Sequence, residues 1–261
     1  MKRIQGILMV SFGTTYRDTR EKNIERLAET VRECFPDWEL YQAYSSGIVR
    51  RILKTRDHIS VPGIREALHQ MHQEQVTHVS VLPTYIIDGI ENNKMKQILE
   101  ECSGLFAEIR TAGALLSREE DIVLTAEAIW EEIKDNAGED PVIFMGHGSA
   151  HEADQCYQSL EKALRTCSGK EIYIATVEGS DTISSVMERL RASKVKKGRV
   201  LLLPLMLVAG DHATNDMAGD EASFAGILRA EGYEPEYMLK GLGEYKGIRR
   251  IYVEHLRKMI G

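Results

Sequence analysis

Two histidines stand where they could bind a metal or move a proton: His147 in FMGHGSAH and His212 in LVAGDHATND. Each lies just past a short apolar run and close to a glycine that lets the backbone turn. A neutral imidazole is a common ligand for borderline divalent metals, and it also takes up a proton near neutral pH. Glu91, in YIIDGIENNK, holds the corresponding place earlier in the chain. A His/His/Glu set with open coordination positions could deliver a metal, or strip protons from a ligand as the metal enters. Each residue alone has a plainer reading. His147 fits a hydrogen-bonded histidine in a glycine turn, His212 an N-cap region with Asp211, Asn215 and Asp216, and Glu91 a first-turn glutamate favoured by the helix dipole. His151, four residues after His147, reads as solvent-exposed or on the same face. His58, His69, His72, His78 and His255 lie in charged helices or at strand edges and read as surface residues.

The positions that hold these groups are related. VSVLPTYIIDGIE (79–91) aligns with VLLLPLMLVAGDH (200–212) on Pro83/Pro204 and Gly89/Gly210, which sets Glu91 opposite His212. VSFGTT (10–15) matches MGHGSA (145–150), with Phe12 opposite His147, and YQAYSSG (41–47) matches YIATVEG (173–179), with Ser46 opposite Glu178. One half supplies Glu91; the other supplies both histidines and Glu178, a residue suited to supporting one of them. A duplicated scaffold with polar residues installed asymmetrically at equivalent loops points to a site in the cleft between two lobes.

Strands and helices must alternate to position these loops. Apolar runs suited to buried parallel strands fall at 4–11, 38–44, 77–84 and 108–115, and again at 141–146, 171–177, 198–208 and 236–240. Between them lie helical stripes. Asp18 and Glu21 form a capping-box-like start to a stripe of Ile24, Leu27, Ala28, Val31 and Cys34, and Cys156, Leu160, Ala163, Leu164 and Cys167 repeat the pattern. Long amphipathic helices are expected at 118–136 and 247–259. With right-handed crossovers, the pattern predicts an α/β fold of two similar doubly wound lobes, 1–125 and 126–261. Each has a central, mainly parallel sheet flanked by helices, and ligands bind beyond the carboxyl ends of such strands.

Composition narrows the function. A chain of 261 residues has room for two lobes. A net charge of −7 leaves no excess of Lys and Arg for nonspecific nucleic-acid or anionic-membrane binding. An anionic ligand must therefore meet local basic residues, and RRILKTR (50–56) is one such cluster. MKRIQGILMVSFG reads as the first strand of a cytoplasmic protein, its apolar run being too short for a signal peptide. The four cysteines lie far apart and read as buried thiols. No P-loop and no G-x-G-x-x-G after the first strand indicates a nucleotide site. A hydrolase pair of Ser11 or Ser149 with a histidine lacks an orienting acid.

SFGTTY, FMGHGSAH and LPLMLVAGDHATNDM together resemble the class II chelatases, and among them the cobaltochelatase branch of anaerobic cobalamin biosynthesis. The likeness runs in order over essentially the whole chain, and GDHA-x-NDM is its specific part. It implies a bilobal fold that holds the tetrapyrrole sirohydrochlorin between its lobes and inserts Co²⁺ without a nucleotide. Fe²⁺ for sirohaem is the runner-up metal, Ni²⁺ is also accommodated, and a non-enzymatic tetrapyrrole or metal carrier is the alternative activity. The family's two histidines and glutamate, which carry metal binding and proton removal, match His147, His212 and Glu91. Short one-lobe relatives carry a histidine where this chain has Phe12, which places the metal with the C-terminal lobe. A polycarboxylate substrate needs local donors. Arg50, Arg51, Lys54 and the loop amides near Ser11, Thr14 and Ser45 are the candidates, with Glu178 beside them. An apolar stripe on the terminal helix leaves a homo-oligomer open.

Overall fold

The computed structural model describes residues 4–193 and 197–261. Among the described residues eight strands form: β1 (Gln5–Ser11), β2 (Glu39–Tyr44), β3 (His78–Pro83), β4 (Glu108–Thr111), β5 (Val142–Gly146), β6 (Ile172–Thr176), β7 (Arg199–Pro204) and β8 (Glu234–Tyr237). β1, β3, β5 and β7 are buried along nearly their whole length. They are central strands of parallel sheets, covered on both faces, so they read as apolar runs without alternation. The expected strand 198–208 stops at Pro204, 108–115 stops at Thr111, and 236–240 begins earlier and ends at Tyr237.

The sheets have the same plan, β2-β1-β3-β4 and β6-β5-β7-β8, with every pairing parallel. The repeat in the sequence is thus a repeat in topology. In each sheet the order reverses between its two central strands, β1 and β3 or β5 and β7. A crevice opens at such a point beyond the carboxyl ends of the strands, because the following connections leave toward opposite faces.

The chain divides into two compact units, residues up to Arg118 together with Arg249–Gly261, and Glu119–Ile248. The terminal helix Lys246–Ile260 was expected wholly in the second lobe; most of it belongs to the first unit. Its polar groups show why. The Tyr252 hydroxyl donates to the Thr84 carbonyl at 3.1 Å, His255 Nδ1 donates to the Gly113 carbonyl at 3.2 Å, and the Met259 carbonyl accepts from Arg110 at 3.2 Å. His255 is consequently buried rather than a surface residue.

Each unit has its own core. Leu8, Val10, Ala43, Leu68, Met71, Val81 and Met95 pack in the first; Ile143, Met145, Val186, Leu190, Leu202 and Leu228 pack in the second. Fully burying one such aliphatic side chain contributes about 1.5–3 kcal/mol. The first helical stretch departs from its expected start. Tyr16 is the N-cap, Asp18 lies inside the first turn, Glu21 accepts from Arg17 at 2.8 Å, and a π-helical segment Arg20–Glu25 precedes the helix Arg26–Cys34. The cysteines are all free, but only Cys102 is buried; Cys167, in the last turn of its helix, is exposed. The Cys156 thiol is pushed up to about 12, chiefly by burial, which keeps it protonated and unreactive.

At the free edge of β6, backbone groups are covered by side chains from the flanking helices. Glu161 accepts from the Ile174 amide at 2.7 Å, Arg165 donates to the Ile172 carbonyl at 2.5 Å, and Arg189 reaches the Ile174 carbonyl at 3.4 Å. An uncovered edge would pair with another chain. No described helix is long and apolar enough to cross a membrane.

Candidate functional site

β5 and β7 are paired neighbours, with Met145 opposite Pro204. Their following loops carry His147 and His212, so the order reversal of the second sheet brings the two histidines together. Their ring centroids lie 4.8 Å apart with planes inclined by 56°. An ion bound at an imidazole nitrogen, about 2.1 Å away, can be shared by two rings at this spacing. The side chains are 45% and 41% exposed, so both are reachable by an incoming ion.

The backbone explains why His147 stands where it does. Gly146 packs under the Tyr157 ring, and a side chain there would approach that ring to 3.0 Å. Gly148 has φ +79°, and a Cβ on it would meet the Gly179 amide nitrogen at 2.4 Å. Only glycine satisfies both the conformation and the space. The Gly146 carbonyl accepts from the Val177 amide at 3.1 Å, and the His147 carbonyl accepts from Glu178 at 2.8 Å. The β5–β6 ladder therefore continues past the sheet and holds His147 beside Glu178. The Glu178 carboxylate lies 3.5 Å from His147 Nε2, an ion-pair distance rather than a tight hydrogen bond.

His212 precedes a π-helical turn, Ala213–Met217, a conformation that recurs at functional sites. Its Nδ1 is 2.6 Å from Asp216 Oδ2. A carboxylate only accepts, so Nδ1 carries the proton and, in the neutral ring, the lone pair sits on Nε2. A carboxylate behind a histidine is the usual support for a metal-binding imidazole, because it fixes the tautomer and raises the donor strength of the other nitrogen. Asp216 read as part of an N-cap region in the sequence; the His-x-x-x-Asp spacing was the signal for this pairing.

Glu91 lies in the first unit, after Gly89 in the first turn of the helix Ile90–Glu101, where it pairs with Lys94 at 2.6 Å. Among the described residues no group of three or more His, Cys, Asp and Glu side chains is gathered to hold a metal ion. The second unit brings only His147 and His212 together in this way among the described residues. His151 caps the turn Glu152–Gln155, its Nδ1 accepting from the Ala153 amide at 3.1 Å, and is half-buried rather than exposed.

The candidate donors for carboxylates divide. Ser11 is wholly buried and accepts from the Thr84 hydroxyl at 2.9 Å, and Thr14 is also buried, its hydroxyl accepting from the Tyr16 amide. Both hydroxyls are engaged within the protein. The amides of Ser45 and Ser46 donate to the Ser11 and Phe12 carbonyls, so that loop is occupied in holding itself. Arg50 is bound to both oxygens of Glu66, at 3.2 and 3.0 Å, and packs on Gly63. Arg51 and Lys54 are exposed on the helix Gly47–Arg56.

Asp154 carried no signal of its own in the sequence. It is buried and accepts from the Ser149 amide at 3.0 Å and from both the amide and the hydroxyl of Ser180 at 2.9 Å.

Comparison with known proteins matches residues 5–261 to the family model described as cobalt chelatase (CbiK). A sirohydrochlorin cobaltochelatase of Salmonella typhimurium is 34% identical over 98% of this chain and 96% of its own length. The sirohydrochlorin cobaltochelatase CbiKC of Nitratidesulfovibrio vulgaris is 35% identical over 97% of this chain and 89% of its own. Among solved structures, SirB from Bacillus subtilis with Fe³⁺ superposes with a TM-score of 0.70 at 14% identity, covering 98% of this chain and 95% of that one; at that identity the likeness concerns the fold.

Proposed function

The chain belongs to the cobalt chelatase (CbiK) family, and on that premise we propose that it inserts Co²⁺ into sirohydrochlorin, with His147 and His212 holding the ion. The observation that carries the reading is the pair of half-exposed imidazoles 4.8 Å apart, one of them backed by Asp216. Insertion exchanges two pyrrole N–H protons for one divalent ion. The protein must hold a partly dehydrated metal, release it to the ring nitrogens and take away two protons. A closed cage of four protein ligands would retain the ion. Two histidines hold it weakly enough for transfer. With Asp216 keeping the His212 proton on Nδ1, Nε2 is the nitrogen that binds. As metal leaves, the vacated imidazole nitrogens can accept the displaced protons. Glu91, the residue that the repeat pairs with His212, is assigned to metal holding or proton removal in the same reaction. The metal is a substrate here, and no nucleotide enters.

Arg51 and Lys54 are the remaining candidates for binding substrate carboxylates. Replacing both by Ala should raise KM for the tetrapyrrole with kcat unchanged, the signature of lost uniform binding; an unaltered KM removes them from the site. For the central assignment, anaerobic metallation is compared in wild type, His147→Ala, His212→Ala and Glu91→Gln. Each should slow insertion by roughly 10²–10⁴-fold, the usual worth of a positioned acid–base group, while unfolding stays near wild type. Retained turnover in both histidine variants sinks the assignment.

A further inference from the structure

Asp154 sits in the turn Glu152–Gln155, 7% exposed. One oxygen accepts from the Ser149 amide at 3.0 Å, and the other accepts from the Ser180 amide and hydroxyl, both at 2.9 Å. Ser149 lies two residues past His147, on the loop after β5. Ser180 lies two residues past Glu178, on the loop after β6. One carboxylate therefore ties together the two loops whose side chains meet at the His147–Glu178 contact. The packing leaves it no slack, since a Cβ on Gly179 would approach the Asp154 oxygens to 2.5 and 2.6 Å. Hydrogen bonds to an ionised acceptor are about twice as strong as neutral ones, and three of them converge here.

We propose that Asp154 is a positioning residue for metal holding, clamping the two loops so that His147 is presented beside His212 at the observed spacing. This rests on the reading of His147 as a metal-holding residue. The competing role is a buried carboxylate that stabilises the unit and nothing more. Asparagine at this position would turn an NH₂ group toward donors that need an acceptor. The two roles then differ in what they move.

The test compares wild type, Asp154→Asn, Ser180→Ala and His147→Ala by three readouts. These are the Co²⁺ dissociation constant of the protein without tetrapyrrole, followed by the visible absorption of bound Co²⁺; the split of KM for Co²⁺ against kcat in metallation; and the thermal midpoint. Asp154→Asn should weaken Co²⁺ binding about 10- to 100-fold, as loss of a group that orients a metal ligand does, and raise KM for Co²⁺ with KM for the tetrapyrrole unchanged. A lowered midpoint with wild-type Co²⁺ affinity and KM overturns the proposal. Ser180→Ala keeps the carboxylate and removes one donor, so it carries the test if Asp154→Asn does not fold: weaker Co²⁺ binding supports the clamp, and wild-type binding overturns it. Loss of Co²⁺ binding in His147→Ala with wild-type values in Asp154→Asn removes the clamp alone. Wild-type Co²⁺ binding and turnover in His147→Ala remove the metal assignment and the clamp together.

Discussion

Asp216 follows His212 by one helical turn and meets its Nδ1 at 2.6 Å, so the metal binding proposed for that histidine depends on a neighbour that need not touch the ion. Asp216→Ala should lower Co²⁺ affinity about 10- to 100-fold. Asp216→Asn should lose less, because its amide oxygen can still accept from Nδ1–H and keep the lone pair on Nε2. Titration of the Co²⁺ absorption checks this, and equal losses in the two variants would show that charge, not tautomer, is what Asp216 supplies. At this scale the candidate site was partly legible in the sequence. His147 and His212 stood out because glycines and strand ends surround them. Asp154 did not, since its bond to Ser180 spans 26 residues and leaves no local pattern. That the hydroxyls of Ser11 and Thr14 pack inside and bond to the protein itself was not readable, because a hydroxyl in a loop reads the same whether it faces solvent or the interior.

The parallel order shared by the sheets explains how residues far apart in sequence reach one place: β5 and β7 are separated by the whole of β6 and its helices, yet pair directly. This arrangement was readable from the alternating runs, because central strands buried on both faces need continuous apolar sequence. Edge protection was not readable. Glu161, Arg165 and Arg189 each sit on a helix, and only the fold shows that they cover the β6 backbone. Glu161→Ala strands the Ile174 amide and removes the carboxylate that pairs with Arg189. A loss of about 1–3 kcal/mol is expected for the unsatisfied buried group, with more self-association than wild type through the opened edge. Denaturant unfolding and sedimentation check both, and wild-type stability with unchanged association contradicts the edge-cover role. The terminal helix was placed in sequence by its stripe, but not in space, because an apolar face does not say which core it covers; Tyr252 and His255 assign it to the first unit.

At the scale of the whole chain, two units of one topology carry different groups at equivalent loops. Where the second has His147 and His212, the first has Phe12 and Glu91. Duplication supplies the scaffold twice, and the substitutions assign the imidazole pair to one copy only. The rate of insertion distinguishes catalysis from mere binding of the substrates. Purified protein, sirohydrochlorin and Co²⁺ are mixed anaerobically with the protein far below the tetrapyrrole, beside a protein-free control and a parallel series with Fe²⁺. Catalysed insertion predicts many turnovers per protein molecule with Co²⁺, at a rate well above the control and above that with Fe²⁺. Uptake of one equivalent of tetrapyrrole with metallation no faster than the control would contradict it.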